Sequence, residues 1–379
     1  MRSAAATVVI VAFALGAAAC APAGPVPPTV STLASATPTG RAGAAPDPSP
    51  AVPSPAVPSF EAGSLDAPAV VATGLDAPWS IAFTESGAAI VSERDTATIA
   101  ELVGGQAVPI AQIAGVAHGG EGGLLGIAVG GGHLYAAITT ADDNRVLRVP
   151  LSGEPGALVL GQPETVIEGL PAAGNHNGGR LGFGPDGMLY VTTGDASRPS
   201  TAQDPASLAG KILRLEPDGA IPADNPIPGS PVYSLGHRNP QGLAWADDGS
   251  LWATEFGQDT WDELNRIEPG ANYGWPIVEG MAGDPRFADP VQQWSPSEAS
   301  PSGMAHADGR LWIANLRGQS LREVDLASPG ESTVRWLAEH GRMRDVVLAP
   351  DGALWVLTNN TDGRGDPGEG DDRILAFRP

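Results

Sequence analysis

The chain has 379 residues, 42% of them apolar and only 17% charged, a length that is ample for a sizeable core in one large domain or two ordinary ones. Its 50 glycines and 37 prolines favour a turn-rich all-β protein over one built from long helices. The net charge of −22 argues against a nucleic-acid partner, because phosphate contacts need a basic surface. A single cysteine excludes a disulfide framework and a cysteine-based zinc site.

The first twenty residues are typical of an export signal. Arg2 supplies a short basic region, and residues 4–19 are uncharged and apolar but shorter than the roughly 20 residues of a membrane span. The sequence AAAC at 17–20 resembles a bacterial lipobox, although Ala17 stands where that pattern prefers Leu. We predict a signal peptide over 1–20 and lipidation of Cys20. The lipid would hold the protein to the outer face of the cytoplasmic membrane, its only membrane contact. Ordinary cleavage at the Ala-x-Ala, giving a secreted protein, is the alternative.

A linker is predicted over residues 21–65. Residues 21–60 are rich in Ala, Pro, Ser and Thr, and only Arg41 and Asp47 are charged. Such a segment cannot form a core and favours a disordered, extended tether. The folded domain is therefore expected over 66–379.

One pattern recurs six times in that domain: a turn that contains glycine, followed by a short apolar run. The copies are TESGAAIVSERD, GGGHLYAAITT, GPDGMLYVTTGD, ADDGSLWATEFG, ADGRLWIANLRG and APDGALWVLTNN, with turn glycines at 87, 132, 187, 249, 309 and 352. Glycine supplies the positive φ of a tight hairpin turn, and copies roughly 40–60 residues apart are typical of propeller blades. We predict an all-β, six-bladed β-propeller in which the strand at 373–377 pairs with the segment near Val70 and closes the ring. An open β-sandwich, or two small β domains, is the alternative.

Two segments offer candidate catalytic residues. In GNHNGGRL, at 174–181, His176 lies between flexible residues, where an exposed imidazole can act as a base. Asp195 follows the next strand and could orient His176. In GHRNPQGL, at 236–243, proline fixes a turn that displays Arg238 and Asn239. A structural role for the histidine or the arginine is the alternative.

A third segment, GRMRD at 341–345, favours an anionic ligand. Arg342 and Arg344 stand two apart in an extended stretch and so point the same way. In an acidic chain, two cations on one face indicate an anion partner, and Arg317 could join them. Pairing with surface acids is the alternative.

A fourth segment runs from EFGQDTWDELN at 255–265 to NYGWP at 272–276. Acidic side chains beside a glycine-bearing loop offer the carboxylate and carbonyl oxygens that Ca²⁺ takes. A solvated acidic loop is the alternative.

Together and in this order, GNHNGGRLGFGPDGMLYVTTGD, GHRNPQGLAW, DELNRI with NYGWP, and GRMRDVVLAPDGALWVLT resemble the soluble quinoprotein glucose/aldose sugar dehydrogenases. The resemblance covers about residues 70–379. It implies a six-bladed propeller that carries pyrroloquinoline quinone (PQQ) and Ca²⁺. It also implies oxidation of an aldose at C1 to the lactone, with electrons passed to an external acceptor.

The resemblance implies a role for each catalytic candidate. His176 would be the general base that takes the proton of the anomeric hydroxyl while hydride passes from C1 to PQQ. Asp195 would support His176, and Arg238 would stabilise the negative charge that develops on the quinone oxygen.

Cofactor and metal ligands also follow from the resemblance. Asn239 would contact the quinone, and Arg317, Arg342 and Arg344 would hold the PQQ carboxylates. The carbonyls of Gly257 and Gln258 would bind the Ca²⁺ that also contacts PQQ. Glu263 and the carbonyl of Tyr273 would bind a second, structural Ca²⁺.

One residue departs from the family pattern. Glu121, in GGEGGLLG at 119–126, stands where family members carry Gln, at a position that the resemblance places near cofactor and substrate. A carboxylate there bears on the choice of sugar more than on the fold.

Two other functions stay open at this point. The first is a propeller that binds a sugar or glycan without redox turnover, since fold does not fix function. The second is a metal-dependent lactonase-type propeller, which would need a cluster of carboxylate and Asn ligands in the channel, where this sequence offers arginines.

Overall fold

The computed structural model describes residues 62–379. The predicted signal peptide, Cys20 and the linker as far as residue 61 lie outside these residues. Within the described range, the one helical element is a short 3₁₀ helix at Pro199–Gln203. No helix in this part of the chain is long and apolar enough to span a bilayer.

Strands form six sheets that follow one another along the chain. Two short strands come first: β1 (Gly63–Ser64) and β2 (Ala69–Thr73). The first sheet holds β3 (Pro78–Phe83), β4 (Ala89–Glu93), β5 (Thr98–Val103) and β6 (Gln106–Gln112). The second holds β7 (Leu124–Gly130), β8 (His133–Thr139), β9 (Asn144–Ser152), β10 (Val159–Leu160) and β11 (Glu164–Leu170). The third holds β12 (Leu181–Phe183), β13 (Leu189–Thr193), β14 (Lys211–Leu215) and β15 (Val232–Leu235).

The last three sheets repeat this arrangement. The fourth holds β16 (Pro240–Trp245), β17 (Leu251–Glu255), β18 (Asp262–Ile267) and β19 (Gln292–Trp294). The fifth holds β20 (Pro301–Ala307), β21 (Arg310–Asn315), β22 (Ser320–Asp325) and β23 (Thr333–Arg335). The sixth holds β24 (Met343–Leu348), β25 (Leu354–Thr358) and β26 (Arg373–Arg378), joined by β1 and β2.

The first strands of the sheets form a closed ring. In order, β3, β7, β12, β16, β20 and β24 each contact the next, and β24 contacts β3. Sheets arranged around a common axis in this way are blades, so the predicted six-bladed β-propeller is confirmed. We number the blades 1 to 6 in chain order.

The hydrophobic core is divided into six clusters, one between each two neighbouring blades. Between blades 1 and 2, for example, Ile90 packs in the same cluster as Leu134. Between blades 5 and 6, the rings of Trp312 and Phe377 lie 5.2 Å apart, edge to face. Because an inner strand is covered on both faces, it reads as a run of buried residues, as in LYVTT of β13.

The ring is closed by the two ends of the domain. β2 pairs antiparallel with β26 and places Val70 opposite Leu375, as the sequence predicts. β1 also pairs with β26, and the indole of Trp336 donates a hydrogen bond to the carbonyl of Leu65 at 2.7 Å. The folded part thus begins a few residues before the predicted boundary at 66. These contacts are made mostly by main-chain atoms, so the side-chain pattern gave no signal for them.

The six turn glycines all lie between the first and second strands of their blades, with φ from 71° at Gly309 to 86° at Gly87. At Gly187 an added Cβ would meet nothing within 4 Å, so the positive φ and not a lack of space favours glycine. Strands alternate in direction, and these turns therefore share one end of the propeller.

The opposite end carries two kinds of loop: the connections between blades and the loops between second and third strands. We call this end the upper face. It comprises residues 74–77, 94–97, 113–123, 140–143, 171–180, 194–210, 236–239, 256–261, 295–300, 316–319, 336–342 and 359–372.

Candidate active site

Most of the predicted site residues lie on the upper face or at the strand ends beside it. Connections between blades hold Glu121, His176, Arg238, Asn239 and Arg342. Loops between second and third strands hold Asp195, Gly257, Gln258 and Arg317. Arg344 and Glu263 are each the second residue of a strand that starts at this face. The alternation of strands therefore brings distant segments to one end of the molecule.

His176 and Asp195 form a hydrogen-bonded pair. Nδ1 of His176 lies 2.7 Å from Oδ1 of Asp195, and the side chain of Asp195 is fully buried. The second oxygen of Asp195 accepts a hydrogen bond from the indole of Trp275 at 2.9 Å. The imidazole is 13% exposed. The buried Asp195 therefore orients the ring from the interior, while part of the ring stays open to solvent at the upper face.

The pKa of Asp195 lies below its usual value. Burial alone would raise the pKa, but the hydrogen bonds from His176, Trp275 and the amide of Ser197 outweigh it. Asp195 is therefore an anion that faces the imidazole, which suits a partner that orients a base.

Arg238 lies beside this pair. Its guanidinium stands 5.5 Å from the centre of the Trp275 ring, and its Nη1 donates to the carbonyl of Phe256 at 3.0 Å. The carbonyl of Arg238 accepts from the amide of Asp195 at 2.8 Å. Burial lowers the pKa of Arg238, and the negative charge of Asp195 opposes that shift. The arrangement gives a cation in a poorly solvated position next to the base.

A second group of side chains collects positive charge. The Nη2 atom of Arg342 lies 3.1 Å from Asp362 and that of Arg344 lies 3.9 Å from it. Arg94 donates to the carbonyl of the same aspartate at 3.4 Å, and Asp95 pairs with Arg94 in turn. The side chain of Asp362 is fully buried, so these arginines do not pair with surface acids as the alternative supposed.

Arg344 is held from several blades at once. It donates to Asn359 of blade 6 at 3.1 Å, to Gln241 of blade 4 at 2.9 Å and to Ser302 of blade 5 at 3.4 Å. Burial, together with the positive charges of Arg342 and Arg94, lowers the pKa of Arg344 to about 9. Cations that crowd each other in this way are stabilised by an anionic ligand.

Buried donors without partners test whether such a ligand fits. The buried polar atoms without a hydrogen-bond partner among the described residues include Arg238 Nε, Asn239 Nδ2 and Arg342 Nε, all on the upper face. Leaving a buried donor unpaired costs about 1–3 kcal/mol. A ligand rich in carboxylate and quinone oxygens, such as PQQ, would pair these donors, and the donor set fits it.

The predicted calcium loop keeps its carbonyls free. The amide of Gly257 donates to Asp262 at 2.9 Å, and the amide of Gln258 donates to Glu279 at 2.8 Å. Within the described residues, no donor reaches the carbonyl of either residue. Two adjacent carbonyl oxygens beside carboxylates suit a hard cation.

The second predicted metal position also has oxygens to offer. Glu263 is buried, and Asn265 Oδ1 beside it has no hydrogen-bond partner among the described residues. Burial, with the negative charge of Glu255, raises the pKa of Glu263 to about 8. The donor chemistry fits Ca²⁺. No cluster of three or more His, Cys, Asp or Glu side chains arranged for a metal occurs in residues 62–379.

Tyr273, the other predicted ligand here, stacks on His237 with ring centres 4.7 Å apart. His237 bridges Ser234, at 2.8 Å, and Glu255, at 2.7 Å. This Ser-His-Glu chain has the hydrogen bonds of a hydrolase triad, but Ser234 and His237 are fully buried. No acyl group can reach the serine, so the chain orders the interior.

Arg317 does not share the contacts of the other predicted cofactor-binding arginines. It is exposed and lines a shallow pocket of about 240 Å³ with Gln258, Asp259 and residues 295–297. In the described chain it makes no ion pair. Arg317 therefore lies beside the predicted calcium loop. Among the described residues it shares no hydrogen-bond or ion-pair partner with Arg342 or Arg344.

Sequence reasoning missed four residues of this site: Trp275, Gln241, Arg94 and Asp362. The first two stood inside quoted motifs without a role. Trp275 reaches the upper face because the long connection after β18 runs beside β15, with a parallel bridge at Leu235 and Asn272. Arg94 and Asp362 also follow the second strands of their blades, but they stand 7 and 10 residues after the turn glycine, where Asp195 stands 8 after it. Alignment of the repeats therefore does not point to them.

Known proteins are similar to this chain in sequence and in fold. The family model for glucose/sorbosone dehydrogenase matches residues 75–366. The PQQ-bound aldose sugar dehydrogenase of Streptomyces coelicolor is 50% identical, with a TM-score of 0.78 over 81% of this chain and 96% of that one. A putative glucose dehydrogenase of Thermus thermophilus is 42% identical, with a TM-score of 0.75 over 82% and 99%.

A curated relative agrees with these structures. The aldose sugar dehydrogenase YliI of Escherichia coli K12 is 33% identical over 282 residues, 64% of this chain and 69% of that one. The family model alone covers well over half of the chain. The chain therefore belongs to the glucose/sorbosone dehydrogenase family.

Proposed function

We propose that the protein is a PQQ-dependent dehydrogenase that oxidises an aldose at C1 to the lactone. One observation carries the proposal: an oriented imidazole and a group of buried cations with unpaired donors meet on one face of the propeller. The PQQ-bound state of the S. coelicolor relative supports the choice of cofactor.

His176 would remove the proton of the anomeric hydroxyl. Because Asp195 accepts a hydrogen bond at 2.7 Å, Nδ1 carries the hydrogen and Nε2 is the basic atom. The buried carboxylate then stabilises the imidazolium that forms. The lactone arises as C1 loses its hydride and the hydroxyl loses its proton.

The cations would bind and orient the cofactor. When bound, PQQ supplies the acceptor for the hydride from C1. Arg342 Nε and Asn239 Nδ2 would offer their unpaired donors to it, and Arg344, which shares Asp362 with Arg342, would add positive charge. Arg238 provides a cation close to the base, where it would stabilise developing negative charge.

Calcium is proposed at two positions. The free carbonyls of Gly257 and Gln258 would hold one ion beside the cofactor. Glu263, with the carbonyl of Tyr273, would hold the other, and the unpaired oxygen of Asn265 would add a further ligand. Arg317 stays a candidate cofactor contact.

The alternatives fit the site less well. A lactonase-type propeller needs a cluster of carboxylate and Asn ligands in the channel. The structure instead pairs Arg180 with Asp345 at 3.0 Å across the inner ends of blades 3 and 6, and Arg180 Nε donates to the carbonyl of Gln241 at 2.7 Å. A propeller that only binds sugar has no use for a histidine oriented by a buried aspartate.

The N-terminus suggests where the reaction takes place. We propose that Cys20 is lipidated and holds the domain outside the cytoplasmic membrane, where an external acceptor takes the electrons. Cys20→Ser should then move the protein from the membrane fraction to the soluble fraction, and an unchanged distribution would contradict the anchor.

Reconstitution tests the function. Purified protein with PQQ and Ca²⁺ should reduce an artificial dye when aldoses are added, and should not do so without PQQ. Lactone should accumulate in step with reduced dye. Binding of aldoses without dye reduction by the PQQ-loaded protein would favour the non-catalytic propeller.

A further inference from the structure

The backbone of His176 needs support that Asp195 does not give. Its φ is 57°, in the left-handed region that costs a non-glycine residue roughly 1–2 kcal/mol. The next residue, Asn177, is held by Asn144 at 2.9 Å and by the main chain of Ala173, but these bonds leave the amide of His176 without a partner. The imidazole is aimed correctly only if this backbone is held in place.

Glu121 supplies the missing contact. Its Oε2 accepts a hydrogen bond from the amide of His176 at 2.9 Å. Its own amide donates to the carbonyl of Gly174 at 2.9 Å, so its main chain is fixed to the histidine loop. On the other side of His176, the carbonyl accepts from the amide of Ala196 at 3.2 Å. Hydrogen bonds therefore hold both the amide and the carbonyl of His176.

The charge of Glu121 is balanced by an arginine of blade 6. Its Oε1 lies 3.3 Å from Nη1 of Arg364, which belongs to the blade 6 loop. The amide of Arg364 donates to Asp362 at 2.9 Å, and the other oxygen of Asp362 pairs with Arg342. A continuous polar chain therefore runs from the backbone of the base to the arginines proposed to hold the cofactor.

We propose that Glu121 is a positioning residue, which fixes the left-handed backbone of His176 and, through Arg364, ties the base to the cofactor-binding side of the propeller. The inference rests on the proposed function for its kinetic part only. It assigns Glu121 a role through His176 that differs from direct contact with the cofactor. A glutamine would keep an oxygen for the His176 amide, but its NH₂ group could not pair with Arg364.

Amide exchange in the apoprotein tests the contact without any cofactor. In Glu121→Ala the His176 amide, followed by NMR, should exchange about tenfold faster, because one hydrogen bond to a charged acceptor is lost. Glu121→Gln should restore most of the protection. Unchanged exchange in the alanine variant would overturn the proposal. Glu121→Ser, too short to reach His176, replaces that variant if it does not fold.

Kinetics of the PQQ-loaded enzyme test the consequence. Glu121→Ala should lower kcat about tenfold, with KM for the sugar and PQQ affinity unchanged, and Glu121→Gln should recover most of kcat. Glu164→Ala is the matched control, since it removes a carboxylate paired with Arg148 at the outer edge of blade 2. Equal loss of PQQ affinity in both Glu121 variants would overturn the proposal in favour of a cofactor contact. An inactive wild type would defeat the proposed function and leave the exchange result to decide the positioning role.

Discussion

His176 and Asp195 flank one pair of strands in blade 3, and Nδ1 of His176 lies 2.7 Å from Oδ1 of Asp195 on the upper face. The first precedes β12 and the second follows β13, which pairs with β12. The sheet therefore fixes the distance between the base and the carboxylate that orients it.

Replacing the carboxylate should disable the base. In Asp195→Asn the amide can donate to Nδ1, which would place the imidazole hydrogen on Nε2 and remove the basic atom. We expect kcat to fall by about 10²–10⁴, the usual contribution of a general base, with PQQ affinity unchanged. Steady-state dye reduction at saturating PQQ measures the effect.

Asp248→Asn is the control for this variant, because Asp248 lies in a turn at the opposite end of the propeller. It should keep the wild-type kcat. An Asp195→Asn enzyme that also kept it would show that the carboxylate does not orient the base.

The same carboxylate should leave a mark on the pH dependence of stability. The folded-state pKa of Asp195 is below the ordinary value of 3.8, so its contribution is present above pH 3.8 and is lost as the pH falls through the folded pKa. Thermal melts of the apoprotein between pH 7 and pH 3 should show the advantage of wild type over Asp195→Asn shrinking with acid. A difference that stays constant over this range would contradict the shift.

Arg342 should affect cofactor binding before turnover. Arg342→Ala removes a cation and its unpaired Nε donor. Because a hydrogen bond to a charged group is worth about 1.5–3 kcal/mol, half-saturating PQQ should rise about ten- to a hundredfold. Titration of the apoprotein with PQQ measures this, with kcat at saturation close to wild type.

Arg335→Ala is the matched control, since Arg335 pairs with Glu323 at the outer edge of blade 5. It should leave the PQQ titration unchanged. Equal weakening by the two substitutions would mean that net charge, and not the Arg342 contact, sets the affinity.

Calcium removal should abolish activity and lower stability. After chelation with EDTA, dye reduction should be lost and Ca²⁺ should restore it. Ca²⁺ should also raise the melting temperature of the apoprotein, and Glu263→Gln should remove the larger part of that rise. Undiminished PQQ-dependent activity in chelated protein, free of metal by elemental analysis, would exclude the proposed sites.

The fold could be predicted from the sequence because its signal is repeated. Each blade has a turn glycine with positive φ, from Gly87 to Gly352, and a following apolar strand that is buried on both faces. The pairing of Val70 with Leu375 followed from the need to close a ring. The pairing of Gly63 and Ser64 could not be predicted, because two small residues carry no periodicity.

The site was predictable in part, and the limit has a physical cause. His176 and Asp195 stand in motifs whose residue types indicate a base and a carboxylate that orients it. The structure brings the two side chains within hydrogen-bond distance. Trp275, which holds the second oxygen of Asp195 at 2.9 Å, arrives through a long excursion whose path no local pattern determines. Asp362 and Arg94 depend on the register of blades at opposite ends of the chain, which only the closed ring brings together.

The role of His176 is the central claim, and one comparison tests it most directly. Wild type and His176→Gln are both loaded with PQQ and Ca²⁺, and their kcat values for an oxidised aldose are compared by dye reduction. The variant keeps a hydrogen-bonding side chain of similar size but has no base, so kcat should fall by about 10²–10⁴ while PQQ affinity is preserved. A His176→Gln protein that binds PQQ and keeps the wild-type kcat would contradict the account.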